Sequence, residues 1–345
     1  MLADSASRLF ADLGTSGHLT RVREGSWIAD EWQAIEQAGL SAAAISEPRG
    51  GVGADLQAQA TIVRLAAHHN VSAPLAETFL AETMLERAAL PAQHRALTVA
   101  PVVPQGSAML TRRGDQYLVS GTLHRVPWAR HVPIVVAADY EGRVATVIVN
   151  GAADIRHQQN LADEPRDTVH LNSLPVASGD VGIGRECLSR DDVFVRGALL
   201  RSAAMLGALD RVLDITVRYA EDRIQFGRPI GKFQAVQQMV SVLAAQVAAC
   251  GIAVESAIKA MDRSAADLQI AAAKARISEA AGSVAALGHQ VHGAIGISRE
   301  YSLNLSTRRL WSWRDEFGSE TEWSERIGSM LGRLGAAGMW LELTR

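Results

Sequence analysis

The chain has 345 residues, 48% of them hydrophobic and 21% charged, with a formal net charge of -3. That length accommodates two or three domains around a large core, and the charge balance supplies no basic field of the kind that binds nucleic acid. Cys187 and Cys250 are the only cysteines, which excludes a disulfide framework and zinc-ligand spacing; with no leader-like start at Met1 to Ser5 and no uninterrupted apolar run of about 18 residues, the expectation is a cytoplasmic protein without a membrane partner.

Residues 1–97 read as an N-terminal helical domain. Asp30 to Gly39 opens with acids, which suit the positive end of a helix dipole, and closes on a glycine suited to a helix C-terminus. Gln57 to His69 and Pro74 to Ala88 carry apolar residues at helical spacing. The Gly- and Pro-containing run Ser46 to Ala54 reads as a loop between them.

Residues 98–197 read as a middle β-domain. Thr98 to Val103, Gln116 to Ser120, Val132 to Ala137, Val144 to Asn150 and Val193 to Val195 are short runs rich in Val, Ile and Tyr. Turn residues at Arg113-Gly114-Asp115 and Tyr140-Glu141-Gly142 separate some of them, the pattern of an antiparallel sandwich or barrel.

Residues 198–345 read as a C-terminal helical bundle. Leu199 to Asp222, Phe233 to Asp262 and Ala265 to Leu287 are long, Ala-rich and amphipathic. Pro229 forbids a continuous helix between the first two, and Ser264 with Asp267 forms an approximate capping box for the third. Long helices with short connections predict a four-helix bundle completed by the final segment. The fold class expected is therefore α+β: helical, then β, then helical.

The break between the first two long helices, Arg223 to Gln234, holds two arginines, two phenylalanines and two glutamines. Such a loop suits a bulky, flat, doubly phosphorylated cofactor. It is similar to the C-terminal-domain signature of the acyl-CoA dehydrogenases. Ser46 to Gly53 resembles that family's N-terminal Pro-Glu-x-Tyr-Gly-Gly-x-Gly loop, and Asp115 to Gly121 its strand and turn before the flavin-contacting segment. Gln290-Val291-His292-Gly293-Ala294-Ile295-Gly296, with Arg299-Glu300-Tyr301 behind it, resembles the Gln-x-x-Gly-Gly-x-Gly segment and the following Glu-Tyr. The resemblance runs through nearly the whole chain.

It implies an FAD-dependent enzyme that desaturates an acyl-CoA thioester in lipid or steroid catabolism. It also implies a dimer or tetramer, homomeric or heteromeric, and an electron-transfer acceptor. By the same resemblance Arg223 pairs with the FAD pyrophosphate, Phe226 packs on the flavin region and Gln234 hydrogen-bonds the cofactor. Gln290 and Gly293 meet the adenosine-diphosphate end of a flavin held mainly by a neighbouring subunit, and Trp128 lies against the isoalloxazine ring. The bland alternatives are a helix-end arginine, a core phenylalanine, solvated glutamines, an ordinary loop glycine and a half-buried tryptophan at a strand end. Trp311, Trp313, Trp323 and Trp340 read as core or interface, and His68, His69, His289 and His292 as structural or solvent-facing.

The departures concern chemistry. The middle-domain loop corresponding to the family's Thr-Glu-Pro-Gly-Ala-Gly-Ser-Asp is Ala100 to Ser107, from which the acids and hydroxyls are mostly gone. The Trp-Ile-Thr segment is replaced by Arg125-Val126-Pro127. The family reaction needs a carboxylate base within about 3 Å of the proton it takes. In most relatives that base precedes a glycine late in the bundle, and the ungapped position here is Phe317, with Glu316 beside it. One residue on a helix turns a side chain by about 100°. A second branch places the base on the first bundle helix; the equivalent here is near Gly197, and no acid lies between Arg196 and Leu209. Two readings stand: Glu316 is the catalytic base through a shifted loop, or the base has been lost and a partner subunit supplies it, with Asp315-Glu316 bonding Arg308, Arg309 or Arg314. The alternative of another class is a non-catalytic scaffold that binds no flavin; a flavin-dependent hydroxylase on the same fold is a third.

Overall fold

The computed structural model describes residues 2–101, 108–151, 154–261, 266–298 and 301–343. The chain forms two compact units, residues 1–200 and 201–345. In the first, five helices precede the sheet: α1 (Leu2–Leu13), α2 (Ser16–Arg23), α3 (Ala29–Gln37), α4 (Leu56–His68) and α5 (Leu75–Arg87). Asp55 caps α4 by accepting from the Ala58 amide at 2.7 Å, leaving one fewer orphan donor at the helix start. Gly39, at φ +71°, ends the α3 turn in the left-handed conformation that glycine adopts without a Cβ clash.

The strands are β1 (Thr98–Val99), β2 (Met109–Arg113), β3 (Gln116–Pro127), β4 (Ile134–Tyr140), β5 (Arg143–Val149), β6 (Asp154–Arg156), β7 (Arg166–Val176) and β8 (Val181–Gly182). They form one sheet in the order β6-β7-β3-β2-β4-β5-β8, with β1 beside β4. Most neighbours pair antiparallel, while β1 and β2 each meet β4 in parallel. Val119, Leu123, Val136, Ala138, Ala145, Val147, Val169 and Leu171 fill its core.

Three expectations change. Val193 to Val195 is helix, inside α6 (Arg190–Asp222). Ser189 and Asp192 bond reciprocally at 3.0 Å from each amide, a capping arrangement that starts the helix ahead of the β-branched residues. The strand expected from Gln116 to Ser120 runs on to Pro127, carried past two register shifts against β7. β7 itself lacks a clean alternation and was not anticipated. The stretch 102–107 of the expected flavin loop, Ser264 of the expected capping box, and Arg299 and Glu300 lie outside the described residues.

The second unit continues α6 and adds α7 (Gln234–Met261), α8 (Ala266–His292), α9 (Ala294–Ile297), α10 (Leu303–Trp313) and α11 (Glu320–Leu343), the last bent at Gly335. α7 packs along α8, and α8 also carries α10 and α11. The buried stripe of α7 is Leu243, Val247, Cys250, Val254, Ala257 and Ile258. By length and composition alone α7 is apolar enough to cross a bilayer, with 33% of its most apolar window buried. The architecture is α+β with a C-terminal four-helix bundle.

Candidate active site and cofactor site

α6 ends at Asp222, and the chain reverses through a hairpin of β9 (Ile224–Gln225) and β10 (Arg228–Pro229). The hairpin loop is Phe226-Gly227, with φ of +52° and +80°. Positive φ at both central positions is the geometry of a type I′ turn. The Arg223 amide donates to Tyr219 O at 2.9 Å and its carbonyl accepts from the Ile230 amide at 2.8 Å, so its backbone closes the base of the loop. The Arg223 guanidinium stays exposed. Phe226 is 92% exposed, which excludes the core reading for it in this chain. Its ring meets Phe233 edge-on at 6.1 Å, and the Arg228 guanidinium sits 4.2 Å over Phe233. Gln234 is the exposed first residue of α7.

The second group of candidates lies at the end of α8. Gln290 is exposed, and Gly293 follows the helix at φ +64°, ψ −145°, with nothing within 4 Å of where a Cβ would stand. Only glycine adopts that conformation readily. Between them, His292 donates from Nδ1 to Gly288 O at 2.8 Å and stacks on Tyr219 at 4.4 Å. Its Nε2 is buried, and the Ile215 backbone acts on the ring alongside Gly288. Burial pushes the His292 imidazole below its ordinary pKa, against the Gly288 carbonyl's pull upward. His289 contacts Thr307 Oγ1 at 3.0 Å and stacks on Trp311. Both histidines therefore carry packing roles.

These features fit FAD. The exposed cations Arg223, Arg228 and Lys232 stand on one hairpin segment beside an upright aromatic ring, suited to phosphate oxygens and a flat ring system. Gly293 leaves its backbone open to close approach.

Glu316 stands in the turn between α10 and α11. Its carboxylate meets the Arg201 guanidinium of α6, Nε to Oε2, at 2.9 Å. The side chains are 5% (Arg201) and 14% (Glu316) exposed. Arg201 is a partner outside the expected set of Arg308, Arg309 and Arg314; Arg314 pairs with Glu320 at 3.3 Å. The contact with Arg201 follows from the turn: Phe317 and Gly318 take φ of +53° and +94°, so Glu316 is not on a continuing helix and turns toward α6. Phe317, at the ungapped base position, is 7% exposed. Arg201 and Arg309 lie over the two-ring system of Trp313 at 5.2 and 5.5 Å.

Trp128 lies in residues 1–200 at the end of β3, only 2% exposed. Its ring neighbours are Trp27, edge-on at 5.6 Å, and His131 at 6.1 Å. The ring is thus more deeply buried than the half-buried strand-end alternative expected. The other candidates fall in three places within residues 201–345, while Trp128 belongs to residues 1–200.

Sequence reasoning missed Arg201 and Lys274. Lys274 is fully buried on α8 and donates to Arg314 O (2.7 Å), Gly318 O (2.9 Å) and Ser278 Oγ (3.1 Å). A signal existed: Ile270, Lys274, Ile277 and Ala281 share one helical face, so a lysine occupies an apolar stripe.

A profile of the acyl-CoA dehydrogenase C-terminal domain matches residues 192–314. Acyl-CoA dehydrogenase IpdE2 of Mycobacterium tuberculosis is 33% identical over 282 residues, 81% of this chain and 79% of the relative. Among solved structures, a chain of the ChsE4-ChsE5 complex from Mycobacterium tuberculosis superposes with a TM-score of 0.88 at 24% identity, over 96% of each chain. One from the Tcur3481-Tcur3483 steroid acyl-CoA dehydrogenase gives 0.86 at 24% identity, over 97% of this chain and 98% of the other. With bundle, hairpin motif and overall similarity in agreement, the chain belongs to the acyl-CoA dehydrogenase family, the FAD-dependent oxidoreductases that desaturate acyl-CoA thioesters.

Proposed function

We propose that this chain is one subunit of a heteromeric acyl-CoA dehydrogenase acting on a steroid-derived acyl-CoA thioester, with a second chain supplying the catalytic base. The observation that carries this reading is the Arg201–Glu316 ion pair beside a buried Phe317. The carboxylate nearest the family's base position has its charge neutralised by a guanidinium, and the position itself holds an apolar ring. A base needs an ionised, accessible oxygen aimed at a C–H bond. The heteromeric and steroid parts draw support from the two solved structures, one a complex of two named chains and the other described as a steroid enzyme.

Bound FAD supplies the two-electron acceptor for the hydride. This chain's own part is to hold it: Arg223 against phosphate, Phe226 against the ring region, Gln234 by hydrogen bonding, and Gln290 and Gly293 toward the adenosine-diphosphate end of a flavin held mainly by a neighbouring subunit. Electrons leave to an electron-transfer protein. α7 serves the bundle rather than a membrane, since its buried stripe packs on α8. The place of action is the cytoplasm.

The test is reconstitution. The purified chain, with FAD, is assayed for thioester desaturation alone and with a candidate partner chain. Activity only in the mixture supports the reading. Full activity from the chain alone, abolished by Glu316→Gln, would make Glu316 the base and reject partner dependence. A colourless protein that takes up no FAD in either state would leave the scaffold alternative.

A further inference from the structure

The turn 314–318 is held in a costly shape. Phe317 is a bulky residue at φ +53°, followed by Gly318 at +94°, and left-handed backbone at a non-glycine residue persists only where its surroundings over-determine it. The surroundings here are specific. The Lys274 ammonium donates to Arg314 O at one end of the turn and Gly318 O at the other. Ser278 Oγ, which accepts the third Lys274 proton, donates to Arg314 O at 3.1 Å. Trp323 Nε1 donates to Phe317 O at 2.8 Å, and the Glu316 amide donates to Trp313 O at 3.1 Å. An ammonium has three donors, and here it has three acceptors.

We propose that Lys274 is a positioning residue for the active site: by tying both ends of the 314–318 turn it forces Phe317 and Gly318 into left-handed backbone, which points Glu316 at Arg201 and sinks the Phe317 ring where the family's base would stand. The role in catalysis rests on the functional reading above; the role in the turn does not. An apolar side chain at residue 274 would leave Arg314 O and Gly318 O without this donor. The retained buried charge therefore serves the turn rather than the core, since isolated buried ammonium groups are strongly disfavoured. Burial pushes the Lys274 amine down to about 7, opposed by the nearby carboxylates Glu316 and Asp315 and reinforced by Arg201 and Arg314. Only the protonated amine makes all three bonds.

Hydrogen exchange of the FAD-loaded protein, read by mass spectrometry on peptides covering 313–319, decides the structural part. Lys274→Met is expected to speed exchange there about tenfold or more, the scale of lost hydrogen bonds from a charged donor, while α7 peptides stay unchanged. Should that variant fail to fold, Ser278→Ala is read instead, with a smaller increase confined to the same peptides. Unchanged turn exchange in the variant read overturns the proposal. In the assembled enzyme, Lys274→Met is expected to lower kcat with little change in KM, and to lack the limb near pH 7 expected in the wild-type kcat profile as the amine deprotonates. A retained limb and unchanged kcat overturn the catalytic part. An inactive wild-type assembly sinks the functional reading, and the exchange result still stands.

Discussion

Arg201 and Glu316 meet at 2.9 Å although one lies in the first half of α6 and the other in the turn after α10. That pair is why the proposed function treats Glu316 as a structural anion and not as the base. It also states what a substitution should do. Glu316→Gln keeps a hydrogen-bond acceptor but removes the charge facing a guanidinium whose side chain is 5% exposed. We expect a stability loss of about 1–3 kcal/mol by denaturant unfolding, with kcat of the assembled enzyme changed less than about tenfold. A base carboxylate would instead cost roughly a hundredfold or more.

Arg223 tests the cofactor site. Its side chain is exposed and its structural bonds are backbone ones, so Arg223→Ala should leave unfolding within about 0.5 kcal/mol of wild type. FAD affinity should fall about tenfold or more, as expected for loss of a charge-assisted phosphate contact. Titration of the apoprotein with FAD, followed by visible absorbance, measures it.

Phe226 and Gly227 separate fold from function on one hairpin. Phe226→Ala removes a ring that is 92% exposed, so the stability of the isolated chain should not change, while FAD occupancy of the assembled protein drops. Gly227→Ala acts on the turn itself: at φ +80° a Cβ costs about 1 kcal/mol. It should lower FAD occupancy through the hairpin, with the bundle's melting temperature nearly unchanged.

Lys274 gives a pH signature. Its folded pKa of about 7 lies below the ordinary 10.5, so between those values the unfolded chain binds the extra proton. This group's contribution to stability therefore rises with pH from about 7 to about 10.5 and is flat below. Plotted as unfolding free energy against pH, wild type should climb relative to Lys274→Met by up to about 1.4 kcal/mol per unit across that window. Parallel curves would contradict a depressed amine.

Much of this was written in local residue order. Pro229 between two Ala-rich runs marks the break between α6 and α7, because proline cannot continue a helix. Gly39 marks the end of α3 for the complementary reason. The Arg223 to Gln234 motif and the Gln290 to Gly296 segment carry the family by their residues alone, and with it the α+β order and FAD. Where local preference and context disagreed, context won: Val193 and Val195 favour a strand, yet the Ser189–Asp192 cap and burial in α6 make them helical.

The active-site turn shows the opposite limit. The chain places Glu316 one position from the base and Phe317 on it, and stops there. Which way that carboxylate points depends on a lysine from α8 and an arginine from α6, residues remote in the chain and joined only when the helices pack. Hydrophobic spacing and capping are short-range and legible in order. A buried ion pair and a clamped left-handed turn are products of assembly, so tertiary structure alone decided them.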